Sequence, residues 1–265
     1  MIARRIVPLA RSKGAVALAM VWCILAAAAA VADDLRVDNS VYVGDQSQPS
    51  SQSTTIFSQG LVYDFLTTPA ETIVFDKPGG RFVLLNTSLR TRAELKTNEV
   101  AAFTDRIQPL ALKSPDPVVK FLAAPKFEEQ SNEALGEFTL SSQWLSYRVK
   151  YSPEIHQSVV EQYHDFSDWY ARLNMLLVPG SRPPFARLVL NAALASRKAL
   201  PSEVTLSLTS RGQTTTVRSL HHVSRPLTDK DNARVAEASA AMVKFKPVSF
   251  EQYRKAFSER GATGK

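Results

Sequence analysis

Between Leu35 and about Lys96 the chain contains six short segments in which apolar and polar residues alternate, separated by turn-forming residues. Such alternation is typical of β-strands, because successive side chains of a strand point to opposite faces of a sheet. Leu35, Val37, Asn39, Val41 and Val43, for example, share one predicted strand face that is apolar except for its central asparagine. Six strands with such short connections predict an antiparallel meander. This meander restricts the possible folds more than any other feature of the sequence.

Helical and strand patterns are interleaved in the rest of the chain. Further strands are predicted at 137–141, 145–151, 203–209 and 213–223, and the last two of these form a hairpin. Helices are predicted at 97–112, 118–123, 153–178, 187–198 and 228–245. Because no linker or change of composition separates these elements, we predict one α+β domain over residues 33–258, followed by a disordered tail at 259–265.

The first 32 residues have the order of a secretory signal. Four basic residues within the first 13 positions precede an uninterrupted apolar run from 15 to 32, and the run ends at Ala30-Val31-Ala32, whose small side chains suit a signal peptidase. We therefore predict cleavage after Ala32 and export to the periplasm or the medium. An uncleaved membrane anchor is the alternative, since the apolar run approaches the length of a spanning helix.

The leader also accounts for much of the charge and for the only cysteine. Of 32 lysines and arginines, four lie in the leader, so the mature chain has 28 against 25 acidic residues and its net charge falls from +7 to +3. An exported chain of this charge does not have the strongly basic character of a nucleic-acid-binding protein. Cys23 lies within the apolar run. The mature chain therefore has no disulfide, thiolate metal site or cysteine nucleophile.

Acidic and histidine side chains are the remaining candidates for chemistry. The longest predicted helix carries four of them at helical spacing: Glu161, His164, Asp165 and Asp168. No second ligand cluster accompanies them, so we interpret them as a solvated face and predict neither a metal nor a cofactor. His221 and His222 are adjacent in a predicted strand and must point to opposite faces. A buried, hydrogen-bonded role is favoured for one of them, and a catalytic role for either stays open.

No catalytic motif supports an enzymatic interpretation. The sequence lacks G-x-S-x-G, G-x-x-x-x-G-K, G-x-G-x-x-G and H-E-x-x-H. Paired carboxylates such as Asp64 and Asp76 suit glycoside cleavage only if they face each other across a cleft, which the sequence does not specify. A non-enzymatic protein is therefore favoured.

The apolar side of the predicted sheet requires a cover, and the apolar stripe of the 153–178 helix is the best candidate. If sheet and helix interdigitate fully, they form an ordinary core. If they leave a gap, an apolar ligand fits between them. The predicted ligand contacts are six aromatic residues of the sheet and the helix: Tyr63, Phe65, Phe75, Phe82, Tyr163 and Trp169.

Three segments of the meander resemble a known family. Gly60-Leu61-Val62-Tyr63-Asp64-Phe65, Ile73-Val74-Phe75-Asp76 and the segment 81–86 are similar in strand rhythm and turn placement to successive strands of periplasmic lipoprotein carriers. The resemblance covers about half of the mature chain. It implies a curved antiparallel sheet that forms an incomplete barrel, with helices packed into its open side and acyl chains held between them. It also implies a lipid or lipoprotein partner, and it assigns no ligand-binding residue.

Two hypotheses of different classes follow. The first is a non-enzymatic periplasmic protein that binds or carries a lipid or acylated partner. The second is an envelope structural or interaction protein with a filled core, other envelope proteins as partners and no small ligand.

Overall fold

The structure of the protein is a computed structural model that describes residues 34–178, 180–210 and 212–263. The predicted leader, its cleavage site after Ala32 and Cys23 lie outside these residues, as do the last two residues of the predicted tail. Asp33–Lys265 forms one compact unit. Within the described ranges, no helix combines the length and the apolar character that crossing a membrane requires.

In the described residues, twelve strands form a single sheet with the order β12-β6-β5-β4-β3-β2-β1-β11-β10-β9-β8-β7. All neighbouring strands pair antiparallel except β12 and β6, which are parallel. Within the described part of the chain the sheet is open, with β12 and β7 at its edges. The strands are β1 (Leu35–Val43), β2 (Ser51–Ser58), β3 (Leu61–Leu66), β4 (Glu71–Asp76), β5 (Arg81–Asn86), β6 (Thr91–Lys96), β7 (Glu128–Asn132), β8 (Glu137–Ser141), β9 (Leu145–Pro153), β10 (Ala199–Ser210), β11 (Gln213–Ser224) and β12 (Lys246–Pro247).

Six α-helices of the ranges that the structure describes cover the sheet, and a short 3-10 helix at Glu133–Leu135 connects β7 to β8. The α-helices are α1 (Thr97–Leu112), α2 (Pro117–Ala123), α3 (Gln157–Leu177), α4 (Phe185–Ser196), α5 (Asp229–Lys244) and α6 (Phe250–Thr263). The predicted class, an α+β fold in which helices cover a curved antiparallel sheet that does not close, is confirmed. The predicted hairpin β10–β11 is present, and it extends the meander through pairing of β11 with β1.

Helices cover both faces of the β2–β5 region. On the inner face, α3 and α6 pack against a core that includes Phe57, Phe75 and Phe82. On the outer face, α5 packs against Ile56, Tyr63, Val74 and other residues of the same strands. Strands covered on both sides become nearly continuous apolar runs, and five of the six residues of β4 and of β5 are buried.

Polar contacts hold two of these covering helices, α5 and α6, in place. The N-terminus of α5 is capped by Thr228, whose hydroxyl accepts from the Asp231 backbone N–H at 3.2 Å. Asp231 also accepts from the Arg36 guanidinium of β1 at 3.1 Å, which joins α5 to the sheet. At the inner face, the buried Tyr253 hydroxyl of α6 donates to Glu71 of β4 at 2.7 Å.

A second core lies on the other half of the sheet. Strands β8–β10 contribute residues such as Phe138, Leu145 and Val204, and they pack against α2 and α4 through Leu122, Leu190 and Leu194. The two inner-face cores are therefore separate, and the centre of the sheet lies between them.

Several element boundaries differ from the sequence-based predictions. Strand β9 continues to Pro153, which pairs with Ala199, so α3 begins at Gln157 and not at Pro153. Strand β7 and helix α6 are absent from the prediction. All five residues of β7 are polar and exposed, so no apolar alternation marks this edge strand. Helix α6 extends to Thr263, into the segment for which disorder is predicted.

Candidate ligand-binding cavity

A cavity of about 800 Å³ lies between the inner face of the sheet and helix α3. Its floor is formed mainly by β1, β2, β10 and β11, and the segment between α3 and α4 contributes Ser181, Arg182 and Pro183 to its wall. The cavity therefore lies at the centre of the sheet, between the two inner-face cores.

The cavity exists because the central strands have small or polar residues on their inner face. Strand pairing places Asn39 opposite both Ser53 and His221, and Thr55 opposite both Val37 and Asp64. These side chains are shorter than the phenylalanines at the inner positions of β4 and β5. Helix α3 spans the whole region, so the space above the shorter side chains stays unfilled.

One end of the cavity is apolar. Leu145 of β9, Leu206 and Leu208 of β10 and Leu122 of α2 line it. Tyr147 adds an aromatic ring, and burial raises the pKa of its phenol, while the charges of Arg187 and Arg182 oppose this rise. This apolar lobe, defined by Leu122, Leu145, Tyr147, Leu206 and Leu208, has the lining expected for a hydrocarbon ligand.

A line of hydrogen bonds crosses the floor beside the apolar lobe. The Nδ1 atom of His221 lies 2.7 Å from Asn39 Oδ1, and Asn39 Nδ2 donates to Thr55 Oγ1 at 3.1 Å. Thr55 in turn donates to Asp64 Oδ1 at 2.8 Å, and Tyr170 of α3 hydrogen-bonds with the Asp64 side chain. Because the Asn39 amide oxygen only accepts, Nδ1 carries the His221 proton in this arrangement.

Burial controls the protonation of the titratable groups in this series of hydrogen bonds, which we call the polar line and which consists of His221, Asn39, Thr55, Asp64 and Tyr170. Desolvation raises the pKa of Asp64, although the hydrogen bonds from Thr55, Tyr170 and Ser53 oppose this rise. The pKa of Tyr170 is raised well above its ordinary value by burial and then by the neighbouring Asp64. Burial, with a further contribution from the charge of Arg187, lowers the pKa of His221 to about 3. His221 is therefore a neutral hydrogen-bonding group at neutral pH.

Replacing His221 with glutamine is expected to reduce the acid sensitivity of the folded protein. Between the unfolded pKa of 6.5 and the folded pKa of about 3, the unfolded chain binds a proton that folded His221 does not. The free energy of unfolding of the wild type should therefore fall by about 1.4 kcal/mol for each pH unit as the pH drops through this window. The His221→Gln variant still offers a side-chain amide to Asn39, and its free energy of unfolding should not show this fall with pH. Urea unfolding of both proteins at a series of pH values measures the difference, and identical slopes would contradict the assignment.

The six predicted ligand contacts do not come together in one place. The predicted contacts Tyr63 and Phe65 do not share a face with Phe75 and Phe82, because the register pairs Tyr63 with Val74, and Val62 with Phe75. Tyr63 lies under α5 on the outer face and hydrogen-bonds with Ser239 at 3.0 Å. Phe65 is also on that side, with the Arg234 guanidinium 4.2 Å from its ring centroid.

The other four predicted contacts lie on the inner side. Phe75 and Phe82 pack against each other in the filled core, with ring centroids 4.9 Å apart. Tyr163 borders the cavity and packs on Phe57 at 6.2 Å. Trp169 packs against the same core and the Arg172 guanidinium. Of the six residues, only Tyr163 lines the cavity.

Sequence-based reasoning missed the residues that make the floor. Asn39 on an otherwise apolar strand face was the available signal, since a polar residue at such a position needs a buried partner. Ser51 and Ser53 lie in a polar stretch without apolar alternation, and backbone pairing with β1 makes them part of β2. Both line the cavity.

The histidines give no catalytic constellation in the described part of the chain. His221 faces the cavity, but the group at hydrogen-bond distance from its Nδ1 is the amide of Asn39 and not a carboxylate. His222, its neighbour in β11, lies on the opposite face and pairs with Asp38. His164 lies 3.8 Å from Asp168, which is also 3.7 Å from Arg172. Across residues 34–178, 180–210 and 212–263, no group of three or more histidine or acidic side chains is placed to hold a metal ion.

Neither a family model nor a curated protein matches the sequence. Among solved structures, the chain is similar to the LolA superfamily protein from Nitrosomonas europaea, with 9% sequence identity and a TM-score of 0.29. The similarity covers 75% of this chain and 89% of that chain. Because the sequence identity and the TM-score are both low, we transfer no activity and no residue role from this similarity.

Proposed function

We propose that the protein binds the acyl chain of a lipid or of a lipid-modified partner in the central cavity, as a non-enzymatic binding or carrier protein. The observation that carries this proposal is the cavity of about 800 Å³, whose apolar lobe is lined by residues of the second core. Cavities of roughly 300–1,000 Å³ with mostly apolar linings are typical of small-molecule sites.

The polar line gives the proposed ligand a fixed orientation. An acyl chain gains free energy by leaving water for the apolar lobe, at about 0.8 kcal/mol for each buried methylene group. The hydroxyl, amide and imidazole groups of Ser53, Asn39 and His221 border the same cavity and suit an ester or amide that follows the chain. The predicted leader supports an exported protein that works in the periplasm or outside the cell.

Native mass spectrometry tests the proposal directly. The protein is expressed with its own N-terminal segment in a bacterial host and purified without detergent. We expect adducts with the masses of acyl species, and uptake of a fluorescent fatty acid by protein from which those species have been removed. A clean apo mass together with no uptake would overturn the proposal and favour an envelope interaction protein without a small ligand.

A further inference from the structure

Arg187 of α4 lines the cavity wall and is held in place by its Nε atom. That atom donates to Asn191 Oδ1 at 2.9 Å, and Asn191 Nδ2 donates to Asp168 Oδ1 of α3 at 2.8 Å. Asn191 is buried. Among the described residues, neither terminal nitrogen of the Arg187 guanidinium makes a hydrogen bond to protein, so its terminal N–H groups can donate to a ligand.

The charge of Arg187 acts on groups from three different walls of the cavity. It lowers the pKa of His221 on β11, in addition to the effect of burial. It also opposes the rise in pKa that burial causes for Tyr147 on β9 and for Tyr163 on α3. All three residues line the cavity. The positive charge of Arg187 therefore acts on side chains inside the cavity and not only at its rim.

Arg182 adds a second positive charge to the same wall. It is an exposed residue of the segment before α4 that lines the cavity, and its charge also acts on Tyr147 of the apolar lobe. It has no hydrogen bond or ion pair among the described residues. Asp64 is the one acidic residue in the described lining, and it is buried and already engaged by Thr55. The lining thus has an excess of positive charge close to the apolar lobe.

We propose that Arg187 and Arg182 bind an anionic head group, a carboxylate or a phosphate, of a lipid whose chain occupies the apolar lobe. This inference rests on the proposed function and specifies its ligand class. Guanidinium groups bind carboxylates and phosphates through paired, charge-assisted hydrogen bonds. A free anion would leave the apolar lobe unfilled, whereas an amphiphile fills the lobe and reaches the arginines at the same time.

The test compares ligands that share a chain and differ in the head group. Dissociation constants of the detergent-free protein are measured by calorimetry for dodecanoate, dodecyl phosphate and dodecanol, and for inorganic phosphate alone. We expect at least one of the two anions to bind about tenfold or more tightly than dodecanol, since charge-assisted hydrogen bonds are among the strong ones. Whichever anion binds more tightly identifies the head group. Inorganic phosphate is expected to show no binding at millimolar concentration, because it has no chain.

Variants of the two arginines complete the test. Arg187→Gln and Arg182→Gln should each reduce the preference for the anion, and the double variant should bind the anion and dodecanol with similar affinity. Arg187→Lys retains the charge and should retain part of the preference, which separates a loss of charge from a disturbed fold. Arg148→Gln removes an exposed arginine of β9 outside the cavity lining and should bind like the wild type.

Three results would overturn the inference. They are equal affinity of the wild type for anions and dodecanol, an anion preference that persists in the double variant, or inorganic phosphate binding as tightly as dodecyl phosphate. Binding of dodecanol without an anion preference would leave the acyl-binding proposal intact. Absence of binding by all chain-bearing ligands would refute the acyl-binding proposal itself, so the two failures are distinguishable.

Discussion

Replacing Ala171 with tryptophan is expected to weaken acyl-chain binding by about tenfold to a hundredfold. Ala171 lies on the cavity side of α3, where its methyl group is part of the lining. An indole at this position would project into the space that the acyl chain occupies. Overpacking against it should reduce the favourable binding free energy of the ligand by about 1–3 kcal/mol. The free protein should retain its stability, because the added ring enters empty space and not a filled core.

The measurement is the dissociation constant for dodecanoate, supported by the amount of acyl adduct in native mass spectra. Ala236→Trp is the matched control, because Ala236 is exposed on α5, away from the cavity. The control should bind like the wild type. Unchanged binding by Ala171→Trp, with its fold intact, would show that the chain does not lie under this part of α3.

Replacing Phe82 with alanine is expected to reduce the free energy of unfolding by about 3–5 kcal/mol. Phe82 is fully buried and packs on Phe75, so the truncated side chain leaves a cavity that its neighbours do not fill. Ligand affinity of the folded fraction should not change, because Phe82 does not line the cavity. Urea unfolding gives the stability, and calorimetry with dodecanoate gives the affinity.

Leu110→Ala is the control for this experiment. Leu110 is 61% exposed on α1, so its truncation should change the stability by less than about 0.5 kcal/mol. If Phe82→Ala does not fold, Phe82→Leu retains most of the volume and should lose less stability. A loss of dodecanoate binding at unchanged stability would instead support the original prediction that Phe82 contacts the ligand.

The order of the elements was predictable because it depends on local patterns. The strands of the meander, the hairpin β10–β11 and helices α1 to α5 were predicted from alternation, apolar stripes and turn residues. Prediction failed where the local signal was absent. Strand β7 is polar throughout, and the first half of β2 is recognised only by its backbone pairing with β1.

The faces of the central strands were harder to predict. Strands β4 and β5 are apolar on both sides, because α3 and α6 cover one face and α5 covers the other. With both faces apolar, alternation no longer shows which side chains point inward. The register between β3 and β4 determines which face each side chain occupies, and it places Tyr63 on the face opposite to Phe75.

The sequence alone indicated an N-terminal leader that contains the single cysteine, a near-neutral mature chain, and the order of most strands and helices in an α+β fold. These properties follow from residues that are close together along the chain. Tertiary structure alone decided that Asn39, Thr55, Asp64, Tyr170 and His221 meet in one hydrogen-bonded line below a cavity, with Arg187 on its wall. The physical reason is that a cavity is space left between side chains from distant segments, and strand register and helix docking determine that space.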